Sequence, residues 1–271
     1  MRITILADNR TLDDGRFRTE HGLAVLLETA DKQILLDTGA SSLFLENAAR
    51  LGFDLSTVDY VFLSHGHADH TGGLAAFLQE NPKAKVIVSP AAVSKNFYSR
   101  KGALHPIKAG WPFGQMEGRT LYVRETQRFA DGFSVIAAIP QHHPLPQGNR
   151  NLLVRQGDGF SPDSFDHEMA FYVDGFLFTG CAHNGLENIL EACPWPVRTV
   201  LGGFHLLDAQ GGNAYESEAE LTALARRLGE KYPQVTFYTG HCTGDASFRT
   251  LKIVLGKRLA HFYCGEKIDI D

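Results

Sequence analysis

The chain has 271 residues, of which 44% are hydrophobic and 21% are charged, the composition of a folded protein with a large core. Its formal charge is -5, so we expect no nucleic-acid partner, because there is no overall basic field to attract a polyanion. No apolar stretch approaches the roughly 18 residues of a membrane span, and the first residues lack the core of a signal peptide. The sequence therefore predicts a cytoplasmic protein without a membrane partner.

The first half predicts alternating strands and helices. In chain order these are a strand at 3–7, a hairpin of strands 23–29 and 33–37, a helix from Leu43 to Gly52, a strand at 59–64, a helix at 74–80 and a strand at 85–89. The strand at 59–64 is short and apolar and leads directly into HGHADHTGGL. We therefore expect chemistry at the end of this strand.

Residues 91–119 break the pattern and predict a lid insertion, because the stretch is long, Gly-rich and aromatic. Its aromatic side chains are Phe97, Tyr98, Trp111 and Phe113. Strands resume at 120–124 and 133–139, and a second irregular stretch covers residues 140–167.

The second half repeats the order of the first. It predicts a hairpin at 169–181, a helix at 186–192, a strand ending at His205, a helix at 216–231, a strand at 235–242, a helix at 247–255 and a strand at 258–263. The distance from Gly39 to His65 is 26 positions, and from Gly180 to His205 it is 25. The repeat predicts one α/β domain over residues 1–271, a four-layer αββα sandwich of two mixed sheets whose apolar faces meet.

Histidines grouped after the strand at 59–64 predict a metal centre. Residues at i and i+2 leaving a strand project to the same side, so His65 and His67 can hold one ion, and Asp69 and His70 can reach a second. Imidazole with carboxylate suits zinc, manganese or iron. The four cysteines have no CxxC spacing and are predicted to be free thiols. They are Cys181, Cys193, Cys242 and Cys264.

HGHADHTGGL, preceded by LLDTG, resembles the HxHxDH signature of the metallo-β-lactamase superfamily. EHGLAVLLE, FTGCAHNGLENIL, VLGGFHL and TGHCTG resemble a branch of 7,8-dihydropterin-6-methyl-4-(β-D-ribofuranosyl)aminobenzene 5'-phosphate synthases. The resemblance implies the metallo-β-lactamase fold, with His65 and His67 on the first metal and Asp69, His70 and His241 on the second. Cys181 stands where the superfamily carries a bridging aspartate, and both a ligating thiolate and a packed thiol remain open.

Two candidates compete for the third histidine of the first metal. His183 fits the motif of the branch, whereas His142 and His143 occupy the place of this ligand in the wider superfamily. His183 is the preferred assignment.

The remaining site predictions concern catalysis and substrate. Asp69 and His205 are the predicted catalytic residues, with His205 in substrate contact or proton transfer. Glu20, His21 and Trp111 are predicted to bind substrate, and Asp37 to accept hydrogen bonds from ligand imidazoles. His105, His167 and His261 are predicted to be surface or structural residues.

These residues predict a dinuclear metal-dependent hydrolase that attacks a phosphorylated small molecule with a metal-bound hydroxide. Two divalent ions are expected, zinc first, with manganese or iron as alternatives. The resemblance also implies a second function, a dihydropterin-methyl transferase with a diphosphate leaving group and a pterin-like substrate stacked on the lid aromatics. A third hypothesis is a non-hydrolytic mononuclear metal-binding or sensor protein.

Overall fold

The computed structural model describes residues 1–12, 15–209 and 214–270. Its strands are β1 (Arg2–Ala7), β2 (Ala24–Glu28), β3 (Gln33–Leu36), β4 (Tyr60–Phe62), β5 (Lys85–Val88), β6 (Phe97–Ser99), β7 (His105–Pro106), β8 (Thr120–Tyr122), β9 (Gln127–Arg128), β10 (Ser134–Ile136), β11 (Leu152–Gln156), β12 (Gly159–Pro162), β13 (Ala170–Val173), β14 (Phe176–Phe178), β15 (Thr199–Gly202), β16 (Thr236–Thr239), β17 (Leu259–His261) and β18 (Lys267–Asp269). Its α-helices are α1 (Leu43–Leu51), α2 (Ala68–Thr71), α3 (Leu74–Glu80), α4 (Pro90–Ser94), α5 (Phe113–Met116), α6 (Leu186–Ala192), α7 (Glu218–Lys231) and α8 (Asp245–Leu255). Among the described residues, no helix is long and apolar enough to cross a membrane.

Two seven-stranded sheets repeat the same pairing pattern. Their orders are β18-β1-β2-β3-β4-β5-β8 and β9-β10-β13-β14-β15-β16-β17. Read in these directions, each sheet has three antiparallel pairs followed by three parallel pairs. The internal repeat predicted from the sequence is therefore present in the topology.

Alternating side chains divide the core into layers, because successive residues of a strand face opposite sides of the sheet. Val25 and Leu27 point into the cluster between the two sheets. Ala24 and Leu26 lie in the cluster that packs beneath the helices of the first half. A third cluster joins the second sheet to α6, α7 and α8. The predicted four-layer sandwich is confirmed.

Local signals account for the helix ends. Gly52 follows α1 with φ 83, the left-handed conformation that glycine adopts without steric cost, and its amide donates to Ala48 and Ala49. Ser217 and Glu220 form a reciprocal capping box at the start of α7. Helices α3 and α6 have the bounds that the sequence predicted.

A third, four-stranded sheet in the order β12-β11-β6-β7 corrects the prediction that residues 91–119 and 140–167 are irregular. Leu152 pairs with Ser99 and Val154 with Phe97, so strands from the two stretches lie side by side. The sequence pattern missed this sheet because β6 and β7 are too short to show a period and β11, the partner of β6, is distant in the chain.

Candidate metal centre

Parallel strands of both large sheets end at one edge of the sandwich and bring the predicted ligands together. β4 leads through His65 and His67 into α2, which carries Asp69 and His70. In the second half, His183 follows β14 and His241 follows β16.

His65, His67 and His183 form the first set of ligands. One ring nitrogen from each lies within 4.8 Å of the others. The side chains are buried, and the three Nε2 atoms have no hydrogen-bond partner among the described residues. Because buried polar atoms are nearly always paired, three convergent unpaired nitrogens indicate a missing binding partner.

Hydrogen bonds to the opposite ring nitrogen fix two of these imidazoles. Ser64 Oγ lies 2.8 Å from His65 Nδ1, and Asn149 Oδ1 lies 3.0 Å from His183 Nδ1. With Nδ1 donating to Asn149, His183 Nε2 keeps its lone pair for a metal. Asn149 also donates to the carbonyl of His183 at 2.7 Å. Nothing in the local sequence identified this asparagine.

Burial lowers the pKa of all three histidines in the first set, and neighbouring imidazoles lower it further for His65 and His183. Neutral imidazole is the form that binds metal ions. The first set therefore offers three neutral nitrogen ligands.

Asp69, His70 and His241 form the second set of ligands. Asp69 Oδ2 lies 3.3 Å from His241 Nε2 and 3.7 Å from His70 Nε2. The Nε2 atoms of His70 and His241 are 3.1 Å apart.

The two nitrogens that face each other in the second set need a positive charge between them. His70 Nδ1 donates to Asp37 Oδ2 at 2.6 Å, and His241 Nδ1 donates to Asn9 Oδ1 at 3.0 Å. Both rings therefore direct the lone pair of Nε2 inward, and two lone pairs at this separation repel unless a proton or a metal cation joins them. Asp37 occupies the position expected of a residue that orients a ligand.

The charges of the second set fit the same conclusion. Burial opposes ionisation of Asp69, but His70 and His241 hold its pKa well below the usual range. Burial also opposes the charge of His241, but the hydrogen bond to Asp69 and the neighbouring Cys242 and Asp8 raise its pKa to about 9. The second set thus favours a cation at its centre.

Cys181 lies between the two sets. Its Sγ is 3.1 Å from His70 Nε2, and it shares groupings within 4.8 Å with His65 and with His183. Burial, with Cys242 close by, raises the pKa of the Cys181 thiol well above its usual value. All four cysteines are free and buried, as predicted.

His205 joins the edge of the first set. Its ring centroid is 4.2 Å from that of His183, and neither of its ring nitrogens has a hydrogen-bond partner among the described residues. Its φ is 49, and His241 has φ 50. Non-glycine residues in this conformation are uncommon and concentrate at functional sites.

Two buried carboxylates behind the first set were not found from the sequence. Asp163 Oδ2 accepts from His167 Nε2 at 3.0 Å and lies 3.9 Å from His67 Nε2. Glu168 accepts from the amide of His183 at 2.6 Å, and burial raises its pKa to about 8 against that hydrogen bond. His167, predicted to be a surface or structural residue, is fully buried in this network. Asp163, His167 and Glu168 hold the loops that carry the ligands.

A cavity of about 440 Å³ opens onto both sets. His21, predicted to bind substrate, lines it with Nε2 3.4 Å from Asp69 Oδ2. Glu20 does not line it, because its carboxylate accepts from Ala40 and Ser41 instead.

The aromatic side chains of the predicted lid do not line the cavity. Trp111 packs against the helix-side core of the first half, and Phe113 is 60% exposed elsewhere. Phe97 is buried against His67 and His167, and Tyr98 packs on Phe160. The expected stacking platform for a flat ring is therefore not formed by these side chains.

His142 and His143 lie outside the cluster. Their amides donate to Asn188, and His143 Nε2 pairs with Glu191 at 2.6 Å. The structure thus brings His183, and not this pair, beside His65 and His67. His105 lies at the cavity mouth, and His261 stacks on Phe248.

Comparison with known proteins gives relatives that cover most of the chain. A 7,8-dihydropterin-6-methyl-4-(beta-D-ribofuranosyl)-aminobenzene-5'-phosphate synthase of Methanocaldococcus jannaschii is 25% identical over 267 residues, covering 90% of this chain and 88% of its own. An uncharacterized protein of the same organism is 28% identical over 210 residues, covering 76% and 79%. The crystal structure of Tm1679, a metal-dependent hydrolase of the β-lactamase superfamily, has a TM-score of 0.81 with 27% identity and covers 100% of this chain and 99% of its own.

The family model of the metallo-beta-lactamase superfamily matches residues 18–233. This range contains five of the six residues of the two sets, and the resemblance seen in the sequence is confirmed. The chain belongs to the metallo-β-lactamase superfamily of metal-dependent enzymes.

Proposed function

We propose that this protein is a hydrolase of a phosphorylated small molecule that works with two divalent cations. The observation that carries the proposal is the pair of converging donor sets, above all the two Nε2 lone pairs of His70 and His241 that face each other at 3.1 Å. His65, His67 and His183 would hold one ion, and Asp69, His70 and His241 the other.

The donor chemistry fits such ions. Five imidazoles and one carboxylate suit zinc first, with manganese and iron as alternatives. Divalent ions in such sites activate water as a nucleophile near neutral pH and draw charge from phosphate oxygens. Two separate donor sets also disfavour the mononuclear hypothesis.

The protein's own residues prepare the site for this chemistry. Asp37 and Asn149 hold ligand rings at fixed angles, which reduces the reorganisation needed during reaction. His205, with both ring nitrogens free and its side chain 7% exposed, is placed to give a proton to a leaving oxygen. Asp69 is placed to orient the nucleophile as well as a cation.

The residues that line the cavity suit an anionic substrate. Its lining includes Lys101 and several histidines, and Asp69 is the one carboxylate among its described lining residues. The hydrolase Tm1679, which shares the fold over the whole chain, supports hydrolysis. The relative in Methanocaldococcus jannaschii supports a dihydropterin transferase as the second candidate, because it matches 90% of this chain.

Metal analysis and a substrate comparison test the proposal. We expect two equivalents of zinc per chain, hydrolysis of p-nitrophenyl phosphate or its diester, and loss of both one metal equivalent and turnover in Asp69→Asn with unchanged circular dichroism. Wild-type protein that binds no metal, or Asp69→Asn with full metal and activity, would overturn it. Release of diphosphate from a dihydropterin diphosphate only when an arylamine is present would favour the transferase.

A further inference from the structure

The cavity lining has two parts of different chemistry. The ends of the large-sheet strands supply the two donor sets, which form its floor. The third sheet and its turns supply a second part of the lining, which consists of Ser99, Lys101, His105, Pro106, Ile107 and Leu152.

The β6–β7 hairpin brings Lys101, on its turn, and His105, at the start of β7, to the same cavity. Ser99 pairs with His105, so residues 100–104 form the turn beyond the last pair. The Lys101 amide donates to Ser99 Oγ at 3.1 Å, which fixes the backbone beneath this side chain. His105 Nδ1 donates to the Ala103 carbonyl at 2.7 Å, which leaves Nε2 free.

Lys101 lacks a neutralising partner. Within the part of the chain that the structure describes, no carboxylate pairs with it, whereas Lys95 pairs with Asp166 at 2.5 Å. Asp69, the one carboxylate among the described residues that line the cavity, already belongs to the second set. A positive charge at a cavity mouth without a protein counter-charge attracts anions.

Apolar side chains line the cavity between the turn that carries Lys101 and the two donor sets. The Ala68 amide donates to the Ile107 carbonyl at 2.7 Å, so the return strand β7 ends beside the loop of the metal ligands. From Ile107 the chain runs back through Pro106 and His105 to the turn with Lys101. Leu152 and Leu207 add apolar surface to the same cavity.

We propose that Lys101 and His105 bind a second anionic group of the substrate. The substrate class is then a small molecule that carries one phosphate for the floor and, across a short apolar spacer, a carboxylate or a second phosphate. This inference rests on the proposed function, because it takes the first phosphate to bind at the donor sets.

Phosphonates that are not hydrolysed test the inference by binding alone. Isothermal titration of zinc-loaded protein compares alkylphosphonates with ω-carboxyalkylphosphonates and α,ω-bisphosphonates over a series of increasing chain length. At the best length we expect a second anion to tighten binding by about tenfold, the effect of one charged hydrogen bond. Comparison of the carboxylate and bisphosphonate series tells which anion is preferred.

Matched variants locate the effect. Lys101→Met should remove the advantage of the second anion and leave alkylphosphonate binding unchanged, and Lys101→Arg should retain it. Lys108→Met is the control, because Lys108 Nζ donates to the Val93 carbonyl and does not line the cavity. Equal binding of the mono-anionic and di-anionic ligands to the wild type, or an advantage that survives Lys101→Met, would overturn the inference alone. Failure of every phosphonate to bind zinc-loaded protein would overturn the proposed function as well.

Discussion

His205 lies beside His183 of the first set, and we propose that it acts on substrate and is not a metal ligand. In the proposed site the six residues of the two sets would give three donors to each ion, which would leave positions for water and substrate. We expect His205→Ala to keep two zinc equivalents and to lower kcat by about 10²-fold, the usual contribution of a general acid. Mass spectrometry of the native protein and steady-state kinetics measure both quantities.

His261→Ala is the matched control for His205→Ala, because His261 stacks on Phe248 outside the cavity. It should change neither metal content nor kcat. Loss of one zinc equivalent in His205→Ala would instead make His205 a ligand.

Cys181 gives a second prediction for a single residue. Its sulfur lies 3.1 Å from His70 Nε2, so Cys181→Asp should retain both ions and Cys181→Ala should weaken one of them by about tenfold or more. Competition with a chromogenic chelator measures the two affinities. Cys193→Ala is the control, since this cysteine packs near Trp195. Parental affinity in Cys181→Ala would show that the thiol only packs.

Among the elements, the loop that carries His65 and His67 packs against β6 of the third sheet. A Cβ on Gly66 would lie 2.3 Å from Phe97 Cε2 and 3.0 Å from the Ala92 carbonyl oxygen. Gly66→Ala should therefore destabilise the fold by about 1–3 kcal/mol and weaken zinc binding, because the loop must move. Chemical denaturation and zinc titration check this.

Gly110→Ala serves as the comparison for Gly66→Ala, because nothing lies within 4 Å of a Cβ at that position. It should leave stability and zinc affinity within experimental error. A neutral Gly66→Ala would show that the loop and β6 are not tightly packed.

The spacing of apolar residues and the residues that end helices predicted most of the elements. Neither signal could predict the third sheet. Helix α1 shows apolar residues at helical spacing and a terminal Gly52, and β2 is a long apolar run. β7 has two residues, and its identity depends on pairing with β6 across a turn. Such pairing is a property of the folded chain, which no local pattern encodes.

The site was predictable to the same extent. HGHADH carries four candidate ligands in one run, so spacing alone revealed them. Asn149 and Asp163 come from the stretch without a pattern and Glu168 follows it directly, so these residues meet the ligands through the third sheet and its loops. Trp111 was predicted to bind substrate because aromatic loops often cover binding sites, but its side chain packs against the hydrophobic core of the first half.

For the whole molecule, metal binding should raise the free energy of unfolding, because the donor sets join loops from both halves of the sandwich. An ion at about 100 times its Kd adds about 2.7 kcal/mol, so two ions should raise Tm by roughly 10 °C in a protein of this size. Scanning calorimetry with and without a chelator measures the shift, which should increase with zinc concentration. The Asp69→Asn variant should show a smaller shift, and an equal Tm with and without chelator would contradict the prediction.

The strand β18 supplies another prediction for the whole molecule. It pairs Arg2 with Asp269 and Thr4 with Lys267, and it covers the outer edge of β1. Deleting residues 265–270 should expose that edge and shift the protein into the pellet, because unpaired edges recruit other strands. Replacing Lys267 and Asp269 by alanine keeps the backbone pairs and should leave the protein in the supernatant after centrifugation. A shortened chain that stays in the supernatant would contradict the prediction.

The position of β18 in the chain determines which of the two large sheets is completed first during synthesis. β1 precedes every strand of the second sheet in the chain, whereas its outer partner β18 follows all of them and so leaves the ribosome only after they have been made. Throughout that interval the nascent chain presents the free amide and carbonyl groups of β1, the kind of surface that chaperones protect. The two sheets have the same topology, but the first sheet can gain its last strand, β18, only after the second sheet has been synthesised.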